Sequence, residues 1–326
     1  MFLRLAVTFG LLSALAMRMD LARAEQVLSR LSLPLLAGAL AALFIAAVPV
    51  NALRWSVILA AGRGPVPGTR SLMKLLLVGL FFNQVLPTGV GGDAVRAWRC
   101  RKLGIGLGAA VRSVLLDRAS GYLVMVVIYA LALPVLLRSF PDVRERAGLA
   151  AVLGGALCGF LALTLMDRLP TPLLRLPMVP ALGDLSGELR RLLVDPSRCG
   201  IVLGLSVLTI GFSVLAYMLT GESLGVDLSF ETWLLVVPPL AFIQLLPISL
   251  AGWGVREAGL VFILAGFGIP AEAALATSLL MGLSLIIVGL PGGLIWLFGW
   301  DIAQPSPVAA RASLPDSGST RRGGPP

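Results

Sequence analysis

Long apolar stretches separated by short polar loops make up most of the chain. A helix needs about 20 apolar residues to cross a hydrocarbon core that is roughly 30 Å thick. The apolar stretches predict six membrane spans, at residues 1–16, 33–51, 113–137, 147–166, 201–220 and 271–300. The pattern therefore predicts an all-α, polytopic integral membrane protein.

Two further apolar stretches are copies of one another. Residues 82–96 match residues 242–256 at seven of fifteen positions, always at an offset of 160, and the matches include glutamine, proline, glycine and arginine. Each copy has an apolar run, a proline that ends it, a glycine-rich turn and a new helix start that carries an arginine. The match predicts a duplicated unit built around a broken helix. Such a break leaves backbone groups unpaired at a cost of several kcal/mol each in hydrocarbon, so it is typical of a binding site.

Basic residues flank the first copy on both sides. They are Arg54, Arg63, Arg70 and Lys74 before it and Arg96, Arg99, Arg101, Lys102 and Arg112 after it. Because positively charged loops stay in the cytoplasm, we expect both flanks on that face. The first copy then forms a re-entrant hairpin, residues 71–104, which enters and leaves the membrane on the same side.

The loop before the second copy is acidic, with Glu222, Asp227 and Glu231 and no basic residue, and we expect it outside. The second hairpin, residues 231–268, then enters from the opposite face. Three spans and one hairpin in each half invert the second half relative to the first, as in many transporters. Eight full spans are the alternative, because hydropathy alone does not distinguish a hairpin from a crossing.

The chain divides into four parts on this interpretation. Residues 1–166 form the first membrane half and residues 199–300 the second. Between them, residues 167–198 are expected to form a cytoplasmic connector with an amphipathic helix. Residues 301–326, rich in proline, serine and glycine, are expected to be a disordered cytoplasmic tail. The start of the chain also resembles a cleaved signal peptide, which is the alternative to a retained first span.

Composition narrows the possible functions. The chain is 57% hydrophobic and 13% charged, whereas a soluble domain is about 25% charged. The net charge of +9 comes from basic clusters between apolar stretches, which suit anionic lipid head groups rather than nucleic acid. Three scattered cysteines and the absence of histidine predict no metal site, no cofactor and no disulfide framework. The commonest general base is missing, so we do not expect an enzyme.

The first broken helix supplies candidate residues for binding a phosphate. Gly91 and Gly92 stand at a helix start, where backbone N–H groups and the helix dipole favour an anion. Asp93 and Arg96 follow in the first turn. The alternative is that the glycines only break the helix, that Asp93 is an N-cap and that Arg96 is a cytoplasmic anchor.

The second broken helix supplies Arg256, which matches Arg96, and Glu257 beside it. Adjacent helical residues point about 100° apart, so we expect each of these two to have its own partner. Within a predicted span, Asp117 and Arg118 are candidates for pairing with Arg96 or Glu257, or for a proton-coupled gate. A structural ion pair is the alternative for all of them.

Polar and aromatic residues near the breaks and the span ends have mainly structural interpretations. Asn83, Gln84 and Gln244 precede the breaking prolines, and we expect them to bond freed carbonyls across the hairpin tips. Five tryptophans near span ends are expected to form an interfacial belt: Trp55, Trp98, Trp233, Trp296 and Trp300.

Four segments together resemble a known family. They read LPTGVGGDAVRAWRCRKLG, SVLLDRASG, LPISLAGWGVREAGLVFILAGFGIPAEAALATSLL and LPGGLIWL. They are similar to the lysylphosphatidylglycerol synthase transmembrane region, a flippase-like family that includes the membrane half of the multiple peptide resistance factor. The resemblance implies lipid translocation between leaflets, with aminoacyl-phosphatidylglycerol as the best-known cargo. Bifunctional members carry a soluble aminoacyl-transfer domain after the membrane region, whereas this chain ends about 26 residues after its last span, so no synthase activity is expected.

The expected function is translocation of a phospholipid, an aminoacyl-phospholipid or a related amphiphile across the cell (inner) membrane. Membrane lipids are the expected partners, together with a separate lipid-modifying enzyme. No nucleotide-binding loop is present, so a gradient is expected to supply the energy. One alternative is a membrane enzyme that uses Asp93, Asp117 or Glu257 as acid or base. The other is a non-transporting subunit of an envelope lipid system.

Overall fold

The structure, a computed structural model, describes residues 2–17, 20–62, 64–86, 91–165, 179–244, 249 and 252–299. Every regular element in these residues is a helix. The α-helices are α1 (Phe2–Met17), α2 (Leu21–Leu28), α3 (Leu33–Ile45), α4 (Asn51–Ala60), α5 (Thr69–Val85), α6 (Gly91–Cys100), α7 (Leu107–Arg138), α8 (Val143–Leu165), α9 (Val179–Val194), α10 (Pro196–Glu222), α11 (Phe230–Gln244), α12 (Val255–Ala265) and α13 (Ala271–Leu297).

Five helical segments are long and apolar enough to cross a membrane. They are Leu33–Ala60, Leu107–Arg138, Val143–Ala162, Pro196–Glu222 and Ala271–Leu297. Two further apolar segments, Leu5–Leu15 and Phe230–Gln244, are shorter. The predicted all-α, multi-pass membrane architecture is therefore confirmed. The residues of the expected tail, 301–326, lie outside those described, and in the expected connector α9 begins at Val179.

The second predicted span is longer than expected. We expected it to end at Asn51, but α3 continues through a π-helical turn, Ala46–Val50, directly into α4. The turn contains Pro49, which has no N–H to donate, and a wider turn accommodates that loss without ending the helix. Arg54 and Trp55 therefore lie inside a helix, and their expected places in a cytoplasmic loop and an interfacial belt were wrong.

Helix α10 runs antiparallel to this long helix. Leu219 packs against Gly38 at one end, and the Thr209 hydroxyl bonds Asn51 at 3.2 Å further along. Near the other end, the hydroxyl of Ser206 accepts a hydrogen bond from Arg54 at 3.2 Å. The pairing holds α4 in register beside α10 and turns Arg54 toward the interior.

Helices α5 and α6 form a close antiparallel pair. A side chain on Gly92 would overlap the carbonyl oxygen of Gly79, so the two backbones touch at these glycines. The Gly92 N–H also donates to the side-chain oxygen of Asn83 at 2.8 Å. At the other end of the pair, Pro65 lies against Gly104. The chain thus enters and leaves this first helix pair at the same end.

Helices α11 and α12 form the second pair. Gly259, near the start of α12, packs against Leu240 and Ile243 at the end of α11. Just beyond α12, Gly266 packs against Phe140, which follows the last turn of α7. The open end of this pair therefore lies at the C-terminal end of α7, whereas the open end of the first pair lies just before its N-terminal end.

The closed ends of the two pairs meet near the middle of α7. Arg118 of α7 bonds Asp93 of the first pair at 2.9 Å. One turn further on, the ring of Tyr122 lies 6.1 Å from that of Phe242 in the second pair. Both pairs thus end against the centre of a helix about 48 Å long. Re-entry from opposite membrane faces and the inverted repeat stay predictions.

Helix α13 holds the first pair in place through a face of glycines. A side chain on Gly292 would overlap the Leu77 carbonyl, and Gly289 and Gly293 both contact Phe81. Small residues allow such close approach, which is how many membrane helices gain packing energy. The first pair is therefore wedged between α7 and α13.

Candidate functional site

A buried carboxylate organises the first charged cluster. Asp117 of α7 accepts a hydrogen bond from Arg54 Nε at 2.8 Å and from Arg96 Nη2 at 3.1 Å. The three side chains are each no more than 6% exposed. Asp117 thus joins the long second span to the first helix pair, and the expected pairing of Asp117 with Arg96 is confirmed.

Asp93 extends the cluster toward the surface. Its two carboxylate oxygens accept hydrogen bonds from Arg118, at 2.9 and 3.1 Å, in a fork-to-fork geometry. It also lies 3.1 Å from Nε of Arg96, and the Arg96 guanidinium stacks over Trp55 at 4.8 Å. Positive and negative side chains therefore alternate through the cluster. The order is Arg54, Asp117, Arg96, Asp93 and Arg118.

This cluster carries a surplus positive charge among the side chains that the structure describes. Arg54, Arg96 and Arg118 supply three charges, and Asp93 and Asp117 offset two, which leaves 3 − 2 = +1. Only Arg118 is well exposed, with 44% of its side chain accessible. An unbalanced charge inside a membrane is costly. The cluster is therefore suited to receive one anion at Arg118.

The second cluster is electrically neutral. Arg256 bonds Glu257 through Nε at 3.0 Å and Nη2 at 2.6 Å, and both residues are buried. The other carboxylate oxygen of Glu257 accepts the Gly254 N–H at 2.6 Å. The hydroxyl of Ser278 contacts both charged groups at 3.3 Å. The expectation of separate partners was wrong, because the two side chains curl toward each other.

The hydrogen bonds at the closed ends of the two pairs are only partly those expected. Asn83 bonds across the first tip, but it accepts an N–H and does not donate to a freed carbonyl. Gly91 and Gly92 are buried, and Asn83 already occupies the Gly92 N–H that we expected to face an anion. Gln244 donates to the Leu240 carbonyl of its own helix at 3.3 Å. Gln84 is half-buried, and its side chain makes no hydrogen bond to another described residue. Residues 87–90 and 245–248 lie outside it.

Residues 1–293 match the family model described as the lysylphosphatidylglycerol synthase TM region. The chain belongs to this family. The match covers both helix pairs and both charged clusters, and membership indicates a role in lipid handling. No curated protein and no solved structure matches the chain.

Two residues of the first cluster, Arg54 and Trp55, were not predicted to belong to it. Arg54 was assigned to a loop because the second span was expected to end at Asn51, although the apolar run continues past that residue. Trp55 is fully buried and donates to Ser113 at 3.1 Å. Trp233 is equally buried, so its belt assignment was also wrong, whereas Trp98 is half exposed. The continuous helical spacing through 46–60 was the available signal.

The charged residues that the structure describes provide no grouped metal ligands. In the described ranges no set of three or more His, Cys, Asp or Glu side chains stands close enough to hold an ion. The carboxylates of both clusters are instead engaged by arginines. These ion pairs place the arginines of both clusters where an anion could compete with the carboxylates.

Proposed function

We propose that this protein moves a phospholipid, an aminoacyl-phospholipid or a related amphiphile between the leaflets of the cell membrane. One observation carries the proposal. Two helix pairs open at opposite ends of α7 and close at its centre, where a cluster with one surplus positive charge presents Arg118. A negatively charged head group is the natural partner of such a charge.

Helix length supports re-entrant placement of the first pair. Helix α5 has 17 residues and is about 26 Å long, less than a hydrocarbon core of roughly 30 Å. Its partner α6, with 10 residues, is shorter still. On this proposal the pairs enter from opposite membrane faces, and their closed ends bound a head-group site near the midplane.

Arg118 is proposed as the first contact for the head group. Its guanidinium already holds a carboxylate through two nitrogens, and a phosphate offers the same two-oxygen geometry. An arriving phosphate therefore competes with Asp93 for Arg118. Arg96 and Arg256 contact the head group only once their carboxylate partners release them, because each forms a buried ion pair in this structure.

Lipid movement is measured with purified protein in vesicles that contain a fluorescent phospholipid and no nucleotide. A membrane-impermeant quencher added outside removes the fluorescence of the labelled lipid in the outer leaflet. If the protein moves lipid, the fluorescence should fall further as labelled lipid from the inner leaflet reaches the quencher. Arg118→Gln should slow this movement about tenfold or more, and Arg118→Lys should fall between, because lysine cannot bind two oxygens in the same way. Arg138→Gln is the matched control, since Arg138 is an exposed arginine in the last turn of the same helix.

Three results would argue against the proposal. Movement that requires added nucleotide would contradict a gradient-driven mechanism. Equal rates of lipid movement for Arg118→Gln and the parent protein would show that Arg118 does not contact the moving lipid. A chemically altered lipid after incubation, detected by mass spectrometry, would favour an enzyme.

A further inference from the structure

Arg99 differs from every other buried arginine that the structure describes. Arg54, Arg96 and Arg256 each pair with a carboxylate. Arg99 is 9% exposed, yet it has no ion pair or hydrogen bond to any described residue, and its Nε has no hydrogen-bond partner. Of the five N–H donors of a guanidinium, the Nε–H of Arg99 is thus buried without a partner, which costs free energy.

The Arg99 guanidinium stacks on an aromatic ring. Its central carbon lies 4.1 Å from the ring centre of Trp296, in the last turn of α13. Stacking on an indole stabilises the positive charge but leaves the N–H groups at the rim of the guanidinium free to donate. The side chain is thus held in place by Trp296 with its hydrogen-bonding capacity unused.

The residues around Arg99 form a basic depression at the open end of the first helix pair. Trp98, Arg99, Arg101 and Lys102 line a space of about 300 Å³, and no acidic residue lines it. Arg101 and Lys102 are exposed, and Trp98 is half exposed. Three positive charges therefore surround one recess that has no negative charge of its own.

We propose that this depression binds the phosphate group of an anionic phospholipid. The two tryptophans, whose rings lie 6.4 Å apart, are the residue type favoured at the level of the lipid head groups. The phosphate would accept from Arg99, the buried and oriented donor, while Arg101 and Lys102 attract it from the surface. This site is separate from the Arg118 cluster, and binding there does not depend on lipid movement.

Binding is tested with the purified full chain in a neutral detergent. A short-chain phosphatidylglycerol is titrated and the change in tryptophan fluorescence is followed, because Trp98 and Trp296 border the site. The same titration with short-chain phosphatidylcholine, and competition by inorganic phosphate, separate lipid from free phosphate as the ligand. We expect saturable binding of phosphatidylglycerol that inorganic phosphate does not displace at equal concentration.

Arg99→Gln should weaken phosphatidylglycerol binding about tenfold or more, and Arg138→Gln, which changes an exposed arginine at the other end of α7, should leave it unchanged. If Arg99→Gln fails to purify, the exposed pair is tested as Arg101→Gln with Lys102→Gln, with an expected loss of about threefold. Unchanged binding by a folded Arg99→Gln would overturn the proposal. Equal displacement by inorganic phosphate would overturn the lipid as occupant, leaving a site for soluble phosphate.

Discussion

Replacing Asp117 by asparagine keeps the size of the side chain and removes the charge that two buried arginines share. Arg96 retains a contact with Asp93, whereas the one hydrogen bond that Arg54 retains to a described residue is to the hydroxyl of Ser206. Breaking a buried ion pair by removing one partner costs about 3–5 kcal/mol, because the remaining charge is left uncompensated. We expect Asp117→Asn to lower the free energy of unfolding by an amount in that range.

The loss is measured by unfolding the purified protein in detergent micelles. The structure identifies Arg54 as the residue left unpaired, so Arg54→Met in the Asp117→Asn background should recover part of the loss. The two changes should therefore be non-additive, with a coupling energy of more than about 1 kcal/mol for groups in one network.

A matched control comes from a partly exposed ion pair between the start of α7 and α9. Arg112 and Glu188 lie 2.8 Å apart with about a third of each side chain exposed. Glu188→Gln should cost less than about 1 kcal/mol, because solvent screens such pairs. A loss of that same small size for Asp117→Asn, or additive effects with Arg54→Met, would refute the account of a buried cluster.

Two further predictions follow from the packing of the helix pairs. Gly92→Ala should destabilise the protein by about 3 kcal/mol or more, because the new methyl group overlaps the backbone of α5. Gly155→Ala in α8, where nothing lies within 4 Å, should change stability by less than about 1 kcal/mol, and equal thermal shifts for the two variants would disprove the close contact. Glu257→Gln should cost about 3–5 kcal/mol in the same unfolding assay, and Arg256→Met added to it should restore stability; failure of that rescue would show that Arg256 has another partner.

The helix pairs were predictable from sequence because local rules fix them. A proline followed by several glycines favours the end of a helix, and the two matched stretches place this combination at the same offset. The helices end at Val85 and Gln244, each shortly before the matched prolines. What sequence could not supply was the packing partner of each pair, which depends on contacts with α7 and α13.

The two charged clusters were less predictable from sequence. Long charged side chains reach partners that the spacing of residues along the chain does not reveal. Asp117 and Arg96 lie 21 positions apart and were expected to pair, since both are charged and lie in apolar surroundings. Arg256 and Glu257 were assigned separate partners from their rotation around the helix. At a helix start, however, the Glu257 carboxylate turns back to accept the Gly254 N–H, which brings it beside the arginine.

The central claim is that the two helix pairs enter the membrane from opposite faces. Single cysteines are introduced in a cysteine-free background at four exposed positions and probed in intact cells with an impermeant thiol reagent. Gly68→Cys and Gly106→Cys bracket the first pair, whereas Asp227→Cys and Ala271→Cys bracket the second. We predict that neither of the first two is labelled and that both of the last two are. If only one of the two cysteines that flank a helix pair is labelled, that pair crosses the membrane completely, which would contradict the account.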